Sequence, residues 1–386
     1  MDSSERRHRL HVAFAAAMLA LILVATLVPS SDPDSGMLRG CVVCGEEGLA
    51  DAIANVLLFL PLGIGIYCSG ASGRKTIVLG MLLSATLEFV QLRLVPGRDA
   101  TLGDVVWNTV GTALGVALAW WLPVRRRSGL RACVAAGAVL AVIAGIGLVV
   151  RPAFPQTVYY GQWTPDLGVY EWYRGRVLSA DIGGLPLRSD RLDDSRAVRE
   201  RLMQGVALRI LAVAGPRTER LAPLFSIASD ILLVGPDRDD LVLRVRTRAI
   251  GWRLRQPDLR WRGAMAGVAP GDTFAVQVLH TQRGYCLRVG DRERCGLAYT
   301  AGQAWQLVQF IPRMPLAAQA ILDCVVMAIL GLPIGLVFRR GAAAYAAAAV
   351  AVVGALALPT LVGLAPTPPV ELAALATGIA GAALMP

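Results

Sequence analysis

Glu88, Gln91, Arg98, Asp104 and Asn108 fall within LLSATLEFVQLRLVPGRDATLGDVVWNTVGTALG, residues 82–115, where most of the other residues are apolar. Groups of these types support two kinds of chemistry. Glu88 or Asp104 can move a proton as a general acid or base while Arg98 holds a phosphate or a developing negative charge. Alternatively, the same carboxylates, amides and guanidinium bind a polar ligand without transforming it, or pair with one another and fix helix ends. Ionisable residues inside long apolar runs are costly and mark a site by default.

Spacing assigns these residues to helical faces. Ser84, Glu88 and Gln91 follow i, i+4, i+7, and Asp104, Asn108, Gly111 and Gly115 continue a similar stripe on the next run. Upstream, Asp51 and Asn55 lie one helical turn apart before LLFLPLG, where Pro61 and Gly63 permit a kink. Gly111 and Gly115 let a neighbouring helix approach closely. Three polar stripes and the loop carrying Arg98 and Asp99 then converge on one pocket made of Asn55, Glu88, Gln91, Arg98, Asp104 and Asn108.

The elements that must position them are membrane helices. The 386-residue chain is 55% hydrophobic and only 17% charged, against about 25% charged in an average soluble protein. A helix needs about 20 apolar residues to cross the hydrocarbon. Such runs occur near 11–28, 52–68, 76–95, 104–122, 132–150, 316–337 and 342–362, with a shorter one near 370–385 opened by Pro368 and Pro369. The expected fold is therefore a membrane α-helical bundle of about seven or eight transmembrane helices with an inserted all-β jelly-roll sandwich. Its domains are 1–150 with about five helices, 151–315 as the sandwich, and 316–386 with the last helices.

Arginine placement sets an expected orientation. RRHR before the first run, GRK after the second, RRR after the fourth, and Arg339 with Arg340 all fall on one side, which the positive-inside rule makes cytoplasmic. The N terminus is then cytoplasmic, the first run is a retained span rather than a cleaved leader, and 29–51, 93–103 and 151–315 lie outside. The formal net charge of +10 reads as orientation and attraction to anionic lipid; with no nucleic-acid motif beside it, nucleic acid is not an expected partner.

Seven cysteines give a second indication of sidedness. Cys68, Cys133 and Cys324 sit in or beside apolar runs and read as small buried hydrophobes. In YCLRVGDRERCGL, Gly290 and Asp291 form a two-residue hairpin turn. Counting outward pairs Val289 with Arg292, Arg288 with Glu293, Leu287 with Arg294 and Cys286 with Cys295. A cross-strand disulfide fits there and requires an oxidising compartment. Cys41 and Cys44 form a CxxC that reads as a structural disulfide, with a redox pair or half a metal site as the alternatives. His280 stands alone and reads as an ordinary strand residue, so no metal and no cofactor are expected.

Residues 151–315 contain short β-rich runs separated by Gly, Pro and Asp turns: VYYGQWT, GVALRILAVAG, LAPLFSIAS, ILLVGP, DLVLRVRTRA, FAVQVLHTQ, YCLRVG, ERCGLAY and WQLVQFIP. Alternation in LVLRVRTRA predicts Leu241, Leu243 and Val245 on a buried face and a row of Arg244, Arg246 and Arg248 on the other.

NVLLFLPLG, LLSATLEFVQ and GRDATLGDVVWNTVGTALG together resemble the VanZ-like family. Its pattern N-x-x-x-F-x-P-x-G, E-x-x-Q and R-x-x-x-x-x-D-x-x-x-N-x-x-G is met by Asn55, Pro61, Gly63, Glu88, Gln91, Arg98, Asp104, Asn108 and Gly111. The resemblance covers roughly residues 10–122 and implies an envelope membrane protein in the context of low-level teicoplanin resistance. LFSIASD followed by LVLRVRTRA resembles the LamG or concanavalin A-like lectin/glucanase sandwich, which implies a carbohydrate-binding fold. No E-x-D-x-x-E set of glucanase carboxylates is present. The expected function is thus a non-enzymatic protein of the bacterial inner membrane that binds a surface glycan, glycolipid or glycopeptide, with membrane lipid and an envelope glycan as partners. The alternatives are a membrane enzyme acting on a lipid-linked substrate through Glu88 or Asp104 with Arg98 on its phosphate, and a transporter.

Overall fold

The computed structural model describes residues 3–27, 38–96, 99–124, 127–309, 311, 313–338 and 340–384. Arg98 and Arg339 lie outside the described residues, as do Arg125 and Arg126. The chain divides into two compact units, Met1–Arg127 with Trp252–Arg255, and Ser128–Gly251 with Gln256–Pro386.

The first unit is built on four helices: α1 (Ser3–Leu27), α2 (Gly48–Cys68), α3 (Gly73–Leu94) and α4 (Leu102–Val124). Ser72 starts α3 by accepting the Lys75 N–H at 3.4 Å, which satisfies one of the donors left open at a helix start. Helix α2 packs chiefly on α4 along a glycine seam. A Cβ at Gly111 would come within 2.5 Å of the Val56 carbonyl oxygen, and Gly63 and Gly115 are equally closed in by Thr112 and Leu60. Ile22, Phe59, Leu62 and Leu87 form the apolar centre where α1, α2 and α3 meet. Two short strands, β1 (Leu38–Arg39) and β2 (Ala100–Thr101), pair in parallel.

The second unit holds α5 (Gly129–Val149) and, after the sandwich, α8 (Leu316–Leu336), α9 (Ala342–Val362) and α10 (Pro369–Ala383). Helix α5 packs mainly on α9 and also on α8, while α8 packs closely on α10. A boundary at Arg127 therefore places α5 with the C-terminal helices rather than with α1 to α4. Among the described residues, seven helices are long and apolar enough to cross a membrane; α10, at 15 residues, is shorter. Cys133 is exposed and Cys68 and Cys324 are half-buried, so burial within the protein does not account for them.

Between α5 and α8 stand two antiparallel sheets. The five-stranded sheet runs β10 (Leu259–Trp261), β9 (Asp240–Val245), β8 (Leu232–Asp237), β7 (Phe225–Ile227) and β3 (Gly161–Trp163). The six-stranded sheet runs β13 (Arg292–Leu297), β12 (Gly284–Val289), β11 (Thr273–Thr281), β6 (Leu208–Val213), β4 (Arg176–Ile182) and β5 (Leu185–Pro186). Alternating Leu208, Ile210 and Ala212 on β6 and Phe274, Val276 and Val278 on β11 bury one face, as the period of 2 in a strand requires. Helix α6 (Ser195–Gln204) starts with the Asp194 carboxylate accepting the Ala197 N–H at 2.8 Å and ends on Gly205 at φ 73°; a one-turn α7 (Ala228–Ile231) joins β7 to β8.

Two expectations need correction. Trp305 does not lie in a strand: Gly302–Leu307 forms a 3-10 helix, because the Trp305 indole and the Gly302 backbone N–H bond to groups on α8 and α10. Nor do Arg244, Arg246 and Arg248 form a row. Leu233 and Val242 face a second cover made of Leu167, Tyr170 and Leu221, so both faces of β9 are buried. Arg244 pairs with Asp258 at 2.6 Å and with the Tyr170 hydroxyl. The strand ends at Val245, and Arg248 opens a 3-10 helix.

Candidate functional site

The polar stripes of the first unit meet where α2 and α4 begin and α3 ends. Thr101 is the hinge of the arrangement. Its hydroxyl accepts the Asp104 N–H at 2.9 Å and so caps α4, while its own N–H donates to Glu88 Oε2 at 2.7 Å. Glu88 is thereby tied across from α3 to the loop before α4, with only 8% of its surface exposed. Asn55 Nδ2 donates to Asp104 Oδ1 at 2.6 Å, joining α2 to α4. Asn108 Nδ2 donates to Ser84 Oγ at 2.8 Å, joining α4 to α3. Gln91 Nε2 reaches the Thr26 carbonyl at 2.9 Å and ties α3 to the end of α1. Neither Glu88 nor Asp104 is free.

Each of these bonds answers the penalty for burying a polar group without a partner, about 1–3 kcal/mol in proteins. Asn108 departs from this pattern: it is 4% exposed, and its Oδ1 has no partner among the described residues. An amide that uses one end and leaves the other open marks a position where water or a ligand would complete the cluster. Of the six residues singled out by spacing, the structure joins Asn55 to Asp104 directly and holds Glu88 and Asp104 on the same residue, Thr101. Gln91 and Asn108 bond to Thr26 and Ser84, and Arg98 lies outside the described residues.

Around this cluster the loop before α2 is braced. Cys41 and Cys44 are disulfide-bonded, the Cys41 carbonyl accepts the Gly103 N–H at 3.1 Å, and the Val42 carbonyl accepts the Trp107 indole N–H at 2.9 Å. Arg255 bonds Asp51 at 2.8 Å and also pairs with Glu47. The Arg253 carbonyl accepts the Leu49 and Ala50 N–H groups, each at 3.2 Å, capping α2. Sequence spacing gave no signal for Arg253 or Arg255, which lie some 200 positions downstream of their partners.

In the second unit two further buried carboxylates were missed. Glu371, in the first turn of α10, accepts the Thr300 hydroxyl at 2.8 Å and the Gly302 N–H at 3.1 Å. Asp323 on α8 accepts the Trp305 indole N–H at 2.7 Å. Each stands alone in an apolar run, so no stripe announced it; a single acid there was the only available signal. They hold the segment leaving the sandwich against the helix ends. Cys286 and Cys295 are bonded across β12 and β13. The three pairs nearest the turn are Val289 with Arg292, Arg288 with Glu293 and Leu287 with Arg294, after which the register shifts and Tyr285 pairs with Leu297. Gly296, at φ 77°, takes the left-handed conformation at that bulge. No group of three or more His, Cys, Asp or Glu side chains suited to a metal occurs among the described residues.

Residues 8–123 match the VanZ/LLP1 family model. No curated protein and no solved structure matches the chain. The matched segment contains α2, α3, most of α1 and α4, and every residue of the polar cluster. This chain is a multi-pass membrane protein that carries a VanZ-like domain at residues 8–123 and a separate two-sheet β domain.

Proposed function

We propose that the protein resides in the bacterial cytoplasmic membrane with its N terminus inside and its sandwich outside, and that the VanZ-like cluster binds an envelope glycan, glycolipid or glycopeptide without transforming it. The observation that carries this reading is the state of the cluster. Glu88 and Asp104, the groups able to move a proton, are already engaged by the Thr101 N–H and the Asn55 amide, whereas the Asn108 amide has an end open among the described residues. Such an arrangement favours recognition over proton transfer, since a general base must reach the proton that it removes. Orientation is supported by the cytoplasmic bias of the arginines and by two disulfides, Cys41–Cys44 and Cys286–Cys295, which persist in oxidising compartments. A two-sheet β domain whose LFSIASD and LVLRVRTRA segments resemble a concanavalin A-like sandwich suits a sugar-bearing partner, and the VanZ-like domain suits a role in teicoplanin susceptibility.

Glu88→Gln tests the reading, because glutamine keeps an oxygen for the Thr101 N–H and removes the charge. On this reading the wild-type chain lowers teicoplanin susceptibility, and at matched membrane abundance the variant should lose that effect. A phenotype that falls only as protein level falls would show that the cluster merely braces the helices.

A further inference from the structure

The second unit encloses a cavity of about 400 Å³ at the start of α8. Its wall draws on β10, β13, the 3-10 helix before α8 and the first turn of α8 itself, so it opens at the end of an apolar span. Arginine dominates its chemistry. Arg260, Arg262, Arg294 and Arg313 line it, with Asp258 as the acidic residue among the lining side chains.

Ion pairing does not balance this charge. Arg260 is held by Asp237 at 2.8 Å and by Asp240 at 3.0 Å, and Arg313 by the same Asp237 at 3.0 Å. Asp258 belongs to Arg244. Arg262 instead donates to a neutral group, the Met314 carbonyl, at 3.1 Å. Arg294 is exposed, and no hydrogen bond or ion pair to it is seen among the described residues. Two guanidinium groups facing one cavity are therefore left without a carboxylate.

Neutral donors converge on the same space. Gln306 lines the cavity and is 8% exposed, and no partner for its amide is seen among the described residues. Leu316 and Gln319 bring the N-terminal turn of the 21-residue α8 to the wall, where backbone N–H groups and the helix dipole favour negative charge. Trp305 and Leu316 add apolar surface beside these donors.

From these features we infer that the cavity is a binding site for a phosphate group, of the mono- or diester class that membrane lipids carry at the level where α8 begins. Guanidinium groups match phosphate oxygens in geometry and charge, the Gln306 amide supplies a neutral donor, and the volume leaves room for the glycerol or sugar attached to a diester. The inference stands on the second unit alone and is independent of the reading given to the VanZ-like cluster.

Full-length protein in dodecyl maltoside tests it by calorimetric titration with three probes: inorganic phosphate, dihexanoyl phosphatidylglycerol, and the octyl glucoside headgroup as a phosphate-free control. Wild type should bind at least one phosphate probe and not the control. Arg294→Gln, which breaks no bond seen among the described residues, should weaken that binding about tenfold, the value of one charge-assisted contact. The double variant Arg262→Gln/Arg294→Gln should abolish it, while Arg220→Gln, on an exposed site elsewhere, should leave it unchanged. Binding of the lipid diester alone assigns a lipid headgroup, and equal binding of inorganic phosphate assigns a free phosphate; either supports the site. Failure of wild type to bind either phosphate probe, or an unchanged affinity in Arg294→Gln, overturns it. The single variant keeps the test decisive even if loss of the Arg262 brace at Met314 unfolds the double variant.

Discussion

Gly111→Ala probes the seam that aligns the polar cluster. An alanine Cβ at this position would sit 2.5 Å from Val56 O and 2.9 Å from Val56 Cα, whereas ordinary contact begins at 3.4 Å. Both neighbours are backbone atoms of α2, so no side chain can swing away, and the helices must part by about 0.9 Å to relieve the closer clash. Overpacking of this kind costs about 1–3 kcal/mol. The same separation would stretch the Asn55–Asp104 bond from 2.6 Å beyond hydrogen-bonding range, and a bond to a charged group contributes about 1.5–3 kcal/mol. Because the two effects share one movement they are not additive, and the expected loss is on the order of 3 kcal/mol. Alanine in place of glycine should otherwise favour a helix by about 0.5–1 kcal/mol. Gly137→Ala on α5, where a Cβ meets nothing within 4 Å, isolates that gain. Thermal unfolding of the detergent-solubilised chain should show Gly111→Ala well below wild type and Gly137→Ala at or above it. Equal stability of the two variants would refute the steric seam.

Two other predictions concern orientation and pH. A reporter fused after Val149 or within 160–310 should be active outside the cell, and one fused after Arg127 or Arg340 inside; an active cytoplasmic fusion within the sandwich would invert the topology. Burial lowers the His280 imidazole below its ordinary value, so the unfolded chain takes up its proton first on acidification. Its contribution to stability is complete above about pH 6.5, the unfolded value, and is lost as pH falls below it. The melting temperature should therefore drop between pH 7 and pH 5, and less steeply in His280→Gln; identical slopes would remove His280 as the cause.

The apolar runs were legible because crossing a membrane imposes length and composition at once, and each of the runs at 11–28, 52–68 and 76–95 lies within one helix give or take a residue. The hairpin was legible because Gly290 and Asp291 fix its register locally. What escaped depended on partners distant in sequence. The bulge at Cys295 and Gly296 shifts the pairing at the disulfide itself, after the three pairs nearest the turn. Arg244 reads as an exposed strand residue until Tyr170 and Asp258, which belong to other segments, arrive to cover it. Helix α6 is short and strongly polar, and its capping residues Asp194 and Gly205 sit among the turn signals of a β region. Asp323 and Glu371 form no stripe, and their meaning comes from Thr300, Gly302 and Trp305 folding back onto α8 and α10. For the cluster itself, spacing placed Glu88, Gln91, Asp104 and Asn108 on helical faces, but the central role of Thr101 arises from the turn into α4 and was invisible to periodicity.

The proposed recognition of a sugar-bearing envelope molecule is tested most directly by mass spectrometry of the lipids and glycans that co-purify with the full-length chain from native membrane. Wild type should retain a glycan-bearing species, and Glu88→Gln, purified in equal amount, should lose it while keeping its bulk phospholipid. Retention of the same species by both proteins, or phospholipid alone in the wild type, would contradict the account.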